Sequence, residues 1–103
     1  MKPRVGQTLT SPVDTTTVIV VRAPSAELDI TCAGVPLWDA KSGAPAPEGT
    51  ADPAQLGGSQ LGKRYADDEL GLELLCTKGG EGTIAVNGIP LPLRDAKPLP
   101  ASD

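Results

Sequence analysis

The sequence predicts an all-β fold made of two small hairpin-based modules, related by approximate two-fold symmetry around a shared aliphatic core. Three observations carry this expectation. Residues 18–37 (VIVVRAPSAELDITCAGVPL) lie without a gap over residues 72–91 (LELLCTKGGEGTIAVNGIPL), 54 residues further on, with five of twenty positions identical. Within both copies, apolar residues alternate with polar ones at the period of two that marks a half-buried strand. Twelve glycines and eleven prolines interrupt these runs at short intervals, as turns between strands require. A repeat unit of this size does not bury its own apolar face, so the copies are expected to pack on each other.

Pro3, Gly6 and Pro12 punctuate a polar lead-in, after which residues 15–22 concentrate β-branched side chains and form a strand. The stretch Ala23-Pro24-Ser25-Ala26 breaks it. Residues 27–32 then place Leu28, Ile30 and Cys32 on one face and Asp29 and Thr31 on the other, and the two strands read as a hairpin. Residues 39–58 are rich in Ala, Pro and Gly without apolar periodicity and read as a linker. In the second half, residues 72–77 form a strand, Lys78-Gly79-Gly80-Glu81-Gly82 supplies glycines for a reversing loop, and residues 83–86 return. Asn87-Gly88 favours a type I′ turn into Ile89-Pro90-Leu91-Pro92-Leu93, an edge strand whose prolines offer no amide donors. The expected organisation is a single domain: repeat 1 over about 11–38, linker 39–60, repeat 2 over about 61–94 and a tail at 95–103. Val18, Val20, Leu28, Ile30, Leu72, Leu74, Ile84 and Val86 are expected to form one core.

Composition narrows the function classes. The chain has 103 residues, no Phe and a net charge of −4, with Trp38 and Tyr65 its aromatics. Its Lys and Arg are scattered singly apart from Lys63-Arg64, so a nucleic-acid stripe and a polybasic membrane patch are both missing. The opening MKPRVGQTLTSPVD has positive charge but no apolar run after it, which makes the cytoplasm the expected location. There is no histidine, and this removes Ser-His and Cys-His nucleophilic pairs.

From Tyr65-Ala66-Asp67-Asp68-Glu69-Leu70-Gly71 through GLELLCTKGGEGTIAVNGIPL, the second repeat resembles desulforedoxin and the matching amino-terminal module of desulfoferrodoxin. Tyr65, Gly71, Gly80, Gly82, Thr83, Gly88 and Pro90 fall on that family's pattern. Residues 30–37 echo the same closure in the first repeat. Desulforedoxin is a dimer, and the resemblance implies a tandem pair equivalent to such a dimer fused into one chain. It also implies loss of the iron site, because the family's four cysteine positions are occupied here by Asp67, Leu70, Val86 and Asn87, which cannot form a tetrahedral thiolate set. In the first repeat the adjacent-cysteine positions are Cys32 and Ala33, and the earlier pair falls near Val13 and Thr16.

Cys32 and Cys76 sit in apolar alternation and are expected to be free, buried thiols; a thiol site built on them is the redox or metal alternative. Lys63, Arg64 and Tyr65 are candidates for an interaction surface, as is Trp38 at the end of the first repeat. Gly79 to Gly82 lacks the Gly-Lys-Ser/Thr order of a phosphate loop. The consecutive carboxylates Asp67, Asp68 and Glu69 read as a solvated edge, since neighbours in a strand point to opposite faces. The expectation is therefore a non-enzymatic interaction or accessory protein without a cofactor, monomeric or homodimeric, with a protein partner and no nucleic-acid or membrane partner. A redox or metal-binding protein and a small-molecule binder in the groove between modules are the alternatives.

Overall fold

The computed structural model describes residues 1–43 and 45–93; the expected tail at 95–103 lies outside them. Eight strands form: β1 (Thr8–Thr10), β2 (Thr17–Arg22), β3 (Ile30–Cys32), β4 (Val35–Pro36), β5 (Arg64–Asp67), β6 (Leu72–Lys78), β7 (Ile84–Val86) and β8 (Ile89–Pro90). They make two four-stranded antiparallel sheets, ordered β1-β2-β6-β5 and β4-β3-β7-β8. The fold is all-β, as the alternation predicts. Each sheet takes two strands from each half of the sequence, and its central pair joins the halves.

The register carries the 54-residue spacing into space. At the centre of one sheet Val20 faces Leu74, and at the centre of the other Thr31 faces Ala85. In both central pairs a residue thus faces the one 54 positions from it in sequence. Local geometry repeats as well: Ala33 and Gly34 have φ of 52° and 81°, Asn87 and Gly88 have 52° and 82°. The Leu37 amide donates to the Ile30 carbonyl and the Leu91 amide to the Ile84 carbonyl, both at 2.9 Å. These paired left-handed residues are the type I′ turns that close β3-β4 and β7-β8. Gly34 and Gly88 meet the positive φ without strain.

Two hairpins expected from sequence are absent. β2 and β3 lie in different sheets, and so do β6 and β7. The cause is the apolar pattern itself. Val18 and Val20 on β2, with Leu72, Leu74 and Cys76 on β6, need an opposing apolar layer, and Ile30, Cys32, Ile84 and Val86 of the other sheet supply it. The breaker at Pro24 therefore carries the chain between layers instead of folding it back within one. All eight expected core residues are buried in this one cluster, joined by Leu9, Leu37, Leu91 and the single core aromatic, Tyr65. Isolated bridges Thr10↔Trp38 and Tyr65↔Leu93 link the two sheets at both edges. Pro36 and Pro90 occupy the short outer strands of the second sheet, where a missing amide discourages further strand addition.

Candidate functional site

The site is built at one end of the sheets, where the β1–β2 loop, the β3–β4 turn, the linker and the β6–β7 loop meet. In the sequence Ser11-Pro12-Val13-Asp14-Thr15-Thr16, short polar side chains fold the backbone onto themselves. The Ser11 hydroxyl accepts from the amides of Val13 and Asp14, each at 3.2 Å, and the Ser11 amide donates to the Thr16 carbonyl at 2.9 Å. The Asp14 carboxylate is thereby held over the core. It accepts from the Thr16 amide at 2.9 Å, the Thr16 hydroxyl at 3.0 Å and, across the repeats, the Gly82 amide at 2.7 Å. The Thr16 and Ser59 hydroxyls, both buried, share a hydrogen bond of 2.7 Å.

Both cysteines belong to this cluster. Cys32 and Cys76 are free and buried. The Cys32 thiol points at the Asp14 carboxylate, 3.7 and 3.8 Å from its two oxygens, and the Cys76 thiol donates to the Lys78 carbonyl at 3.1 Å. Burial pushes both thiols above the ordinary cysteine pKa, and the nearby negative charge of Asp14 adds to the effect. The opposite holds for Asp14. Burial works to raise its pKa but is outweighed by the amides of Thr16 and Gly82 and the hydroxyls of Ser11 and Thr16, which hold the carboxyl below its ordinary value. The arrangement keeps a carboxylate ionised and two thiols protonated, the reverse of what an activated thiol needs. Among the described residues every buried side-chain nitrogen and oxygen has a partner, so the cluster is a saturated scaffold.

The glycine-rich loop serves it by close approach. None of Gly79, Gly80 and Gly82 has positive φ, so the expectation that these glycines supply a reversal is corrected. A Cβ on Gly82 would sit 2.5 Å from the Cys32 sulfur, and one on Gly80 would sit 2.6 Å from an Asp14 oxygen. Glycine is required here for space. Residues 55–59 of the linker run antiparallel to this loop. The Thr83 amide donates to the Gln55 carbonyl and the Gly58 amide to the Glu81 carbonyl, both at 2.9 Å, while Ser59 and Gly80 exchange amide bonds at 2.9 and 3.1 Å.

Above the cluster these segments enclose an open groove of about 370 Å³. Residues 13–15 of the β1–β2 loop, Gly80 and Glu81 of the β6–β7 loop, Ala33 of the β3–β4 turn and Ala51 and Leu56 of the linker line it. Leu56 is 45% exposed at the rim. A second groove of similar volume lies toward the far end of β1, where Arg4, Gln7, Asp39 and Lys41 mix both charges. There the Gln7 side-chain Nε2 donates to the Asp39 carboxylate at 2.9 Å, and this bond, with the Lys41 main-chain amide, holds the Asp39 carboxyl below its ordinary value.

The candidate interaction residues are distributed differently. Lys63 and Arg64 are exposed, and Arg64 reaches the buried Glu73 at 3.3 Å. Tyr65 is 6% exposed, and its hydroxyl accepts from the Gln60 amide at 3.0 Å. Trp38 is half-buried and exchanges main-chain bonds with Thr10 at 2.8 and 2.9 Å. That places Trp38 at the β1 edge and the other three at the β5 edge, the opposite edge of the four-stranded sheet. Of the positions where the desulforedoxin family carries cysteine, Val86 is in the core, Asn87 is in a turn, and Asp67 accepts from the amides of Glu69 and Leu70. Asp68 and Glu69 lie in the turn after β5, not in a strand.

Sequence reasoning missed Ser11, Asp14, Thr16 and Ser59. The usable signal was Asp14 two residues before Thr16, a spacing at which an aspartate commonly accepts a backbone amide. No protein-family model matches the chain, and no curated protein or solved structure matches it either.

Proposed function

We propose that this chain is a non-enzymatic binding protein, a tandem pair of interlaced β units with approximate two-fold symmetry, that receives a protein partner in the groove at its loop end. The observation that carries the reading is the contrast between the two layers of the site. Below, Asp14, Thr16, Ser59 and Gly82 spend their hydrogen bonds on one another. Above, Leu56 stands 45% exposed beside Val13, Ala33 and Ala51. A locked polar base under an open apolar rim is suited to presenting a fixed surface, because a preorganised site loses little entropy on binding. The raised thiol pKa values favour this reading over the redox alternative. The family's metal positions, filled by Asp67, Leu70, Val86 and Asn87, fit a descendant in which packing between repeats has replaced the metal's stabilising role.

The test is site-directed photocrosslinking in the host lysate. A photoreactive side chain at position 56 is expected to capture one defined protein. The same group at Val5, which is 69% exposed on the turn at the other end of β1, is expected to capture none of it. Capture of that protein from Val5 alone would contradict the proposal.

A further inference from the structure

Building on that reading, we infer that the groove selects a lysine-bearing, apolar segment of its partner. The residues that line it divide into two kinds. Val13, Ala33, Ala51 and Leu56 offer aliphatic surface, and the charged lining residues are the carboxylates Asp14 and Glu81, with no Lys or Arg among the described residues that line it. An occupant matched to both has an alkyl stem ending in a cation, and a lysine side chain has that form: it lays four methylenes along apolar surface and keeps its ammonium at the water boundary.

The two carboxylates play different parts. Asp14 is fixed by its bonds to Thr16 and Gly82, so it contributes a stationary negative charge at no further ordering cost. Glu81 is exposed and is the carboxylate able to close on an incoming ammonium. The backbone around it is held by the Gly58 amide, which donates to the Glu81 carbonyl at 2.9 Å.

A chain segment is favoured over a free amine by what lies beyond the groove. The linker stretch 55–59 pairs with the glycine-rich loop, and Leu56 within it and Leu61 just beyond it are 45% and 69% exposed. The Leu61 main-chain nitrogen would lie 3.3 Å from a Cβ on Gly79, so Leu56 and Leu61 belong to one segment that runs along the same loop. Apolar residues on either side of a lysine have surface to cover there. A small diamine seated in the groove would leave Leu61, which does not line it, in water.

The experiment is a titration of the folded protein with the blocked peptide Gly-Leu-Xaa-Leu-Gly, Xaa being Lys, norleucine or Glu, read from amide chemical shifts at low salt. The lysine peptide is expected to shift Leu56, Gly80 and Glu81 and to bind about two- to fivefold more tightly than the norleucine peptide, the range of an exposed ion pair. The glutamate peptide is expected to be the weakest. Glu81→Gln should reduce the lysine preference to the part that Asp14 supplies, and about 1 M salt, which screens both charges, should bring the lysine and norleucine peptides level. Equal binding of the lysine and norleucine peptides to the parent, or a lysine preference left undiminished by Glu81→Gln, would overturn charge selection while leaving docking at the groove intact. Failure of capture through position 56 would remove both.

Discussion

Replacing Asp14 with asparagine tests the scaffold at its most connected atom. The change keeps the shape of the side chain and converts one carboxylate oxygen to an NH2 group. In the parent, one oxygen accepts from the Thr16 amide at 2.9 Å and the other from the Gly82 amide at 2.7 Å and the Thr16 hydroxyl at 3.0 Å. Whichever way the amide lies, one main-chain N–H meets a donor instead of an acceptor, and the surviving bonds lose their charge assistance. A bond to a charged partner contributes about 1.5–3 kcal/mol, which puts the total at about 2–4 kcal/mol once weakening of the remaining bonds is included. For a chain of this size that lowers Tm by about 10–25 °C. Thermal unfolding followed by Trp38 fluorescence or far-UV circular dichroism reads it directly. The pH dependence fixes the cause. Asp14 has a folded pKa below its unfolded value of about 3.9, so its contribution is fully present above that value and is lost as pH falls through the folded pKa. Parent and variant should therefore converge in acid. A loss of less than about 3 °C at neutral pH, or a gap that does not narrow down to about pH 2.5, would refute the reasoning.

Further expectations follow from the same geometry. Gly82→Ala drives a methyl into the Cys32 sulfur at 2.5 Å and the Ala33 amide at 3.1 Å, and should cost about 2–3 kcal/mol in urea unfolding; a loss no larger than the strain cost of Gly71→Ala, which meets nothing within 4 Å, would count against close approach. Ile30→Ala and Ile84→Ala should each cost about 2–5 kcal/mol and by similar amounts, since both sit buried at 54-residue spacing in the central pair β3-β7; a large inequality between them would argue against equivalent places. At neutral pH both thiols should react with a disulfide reagent only as fast as the protein opens, because both are buried and protonated. Rapid stoichiometric labelling of the native state would return the redox alternative to the front.

The all-β class and the core were legible because period-two alternation at Leu28, Ile30 and Cys32, and again along residues 72–76, reports directly which face is buried. Strand partners were not. Adjacency in sequence favours a hairpin, yet whether β2 turns back beside β3 or crosses to a second layer depends on which apolar faces oppose each other, and that is a property of all the strands together. Asn87-Gly88 announces its turn, whereas Ala33-Gly34 adopts nearly the same dihedrals behind an alanine that carries no such signal. Gly80 and Gly82 looked like conformational residues and turned out to be steric ones, a distinction set by Thr16 and Cys32, which lie far from them in sequence. Asp39-Ala40-Lys41 recurs as Asp95-Ala96-Lys97, and Gly6 as Gly62, at a spacing of 56 residues, which a gapless comparison at 54 does not reveal.

In the proposed function a partner seats on the exposed apolar rim while the polar cluster beneath serves as its foundation. This seating is tested most directly by calorimetric titration of the protein captured through position 56 against the parent, Leu56→Asp and Val5→Asp. Leu56 is 45% exposed and Val5 69% exposed, so both variants should keep Tm within about 2 °C of the parent, as surface changes commonly do. The account predicts that Leu56→Asp weakens binding at least about tenfold and that Val5→Asp binds as the parent does; unchanged binding by Leu56→Asp, with loss in Val5→Asp, would contradict it.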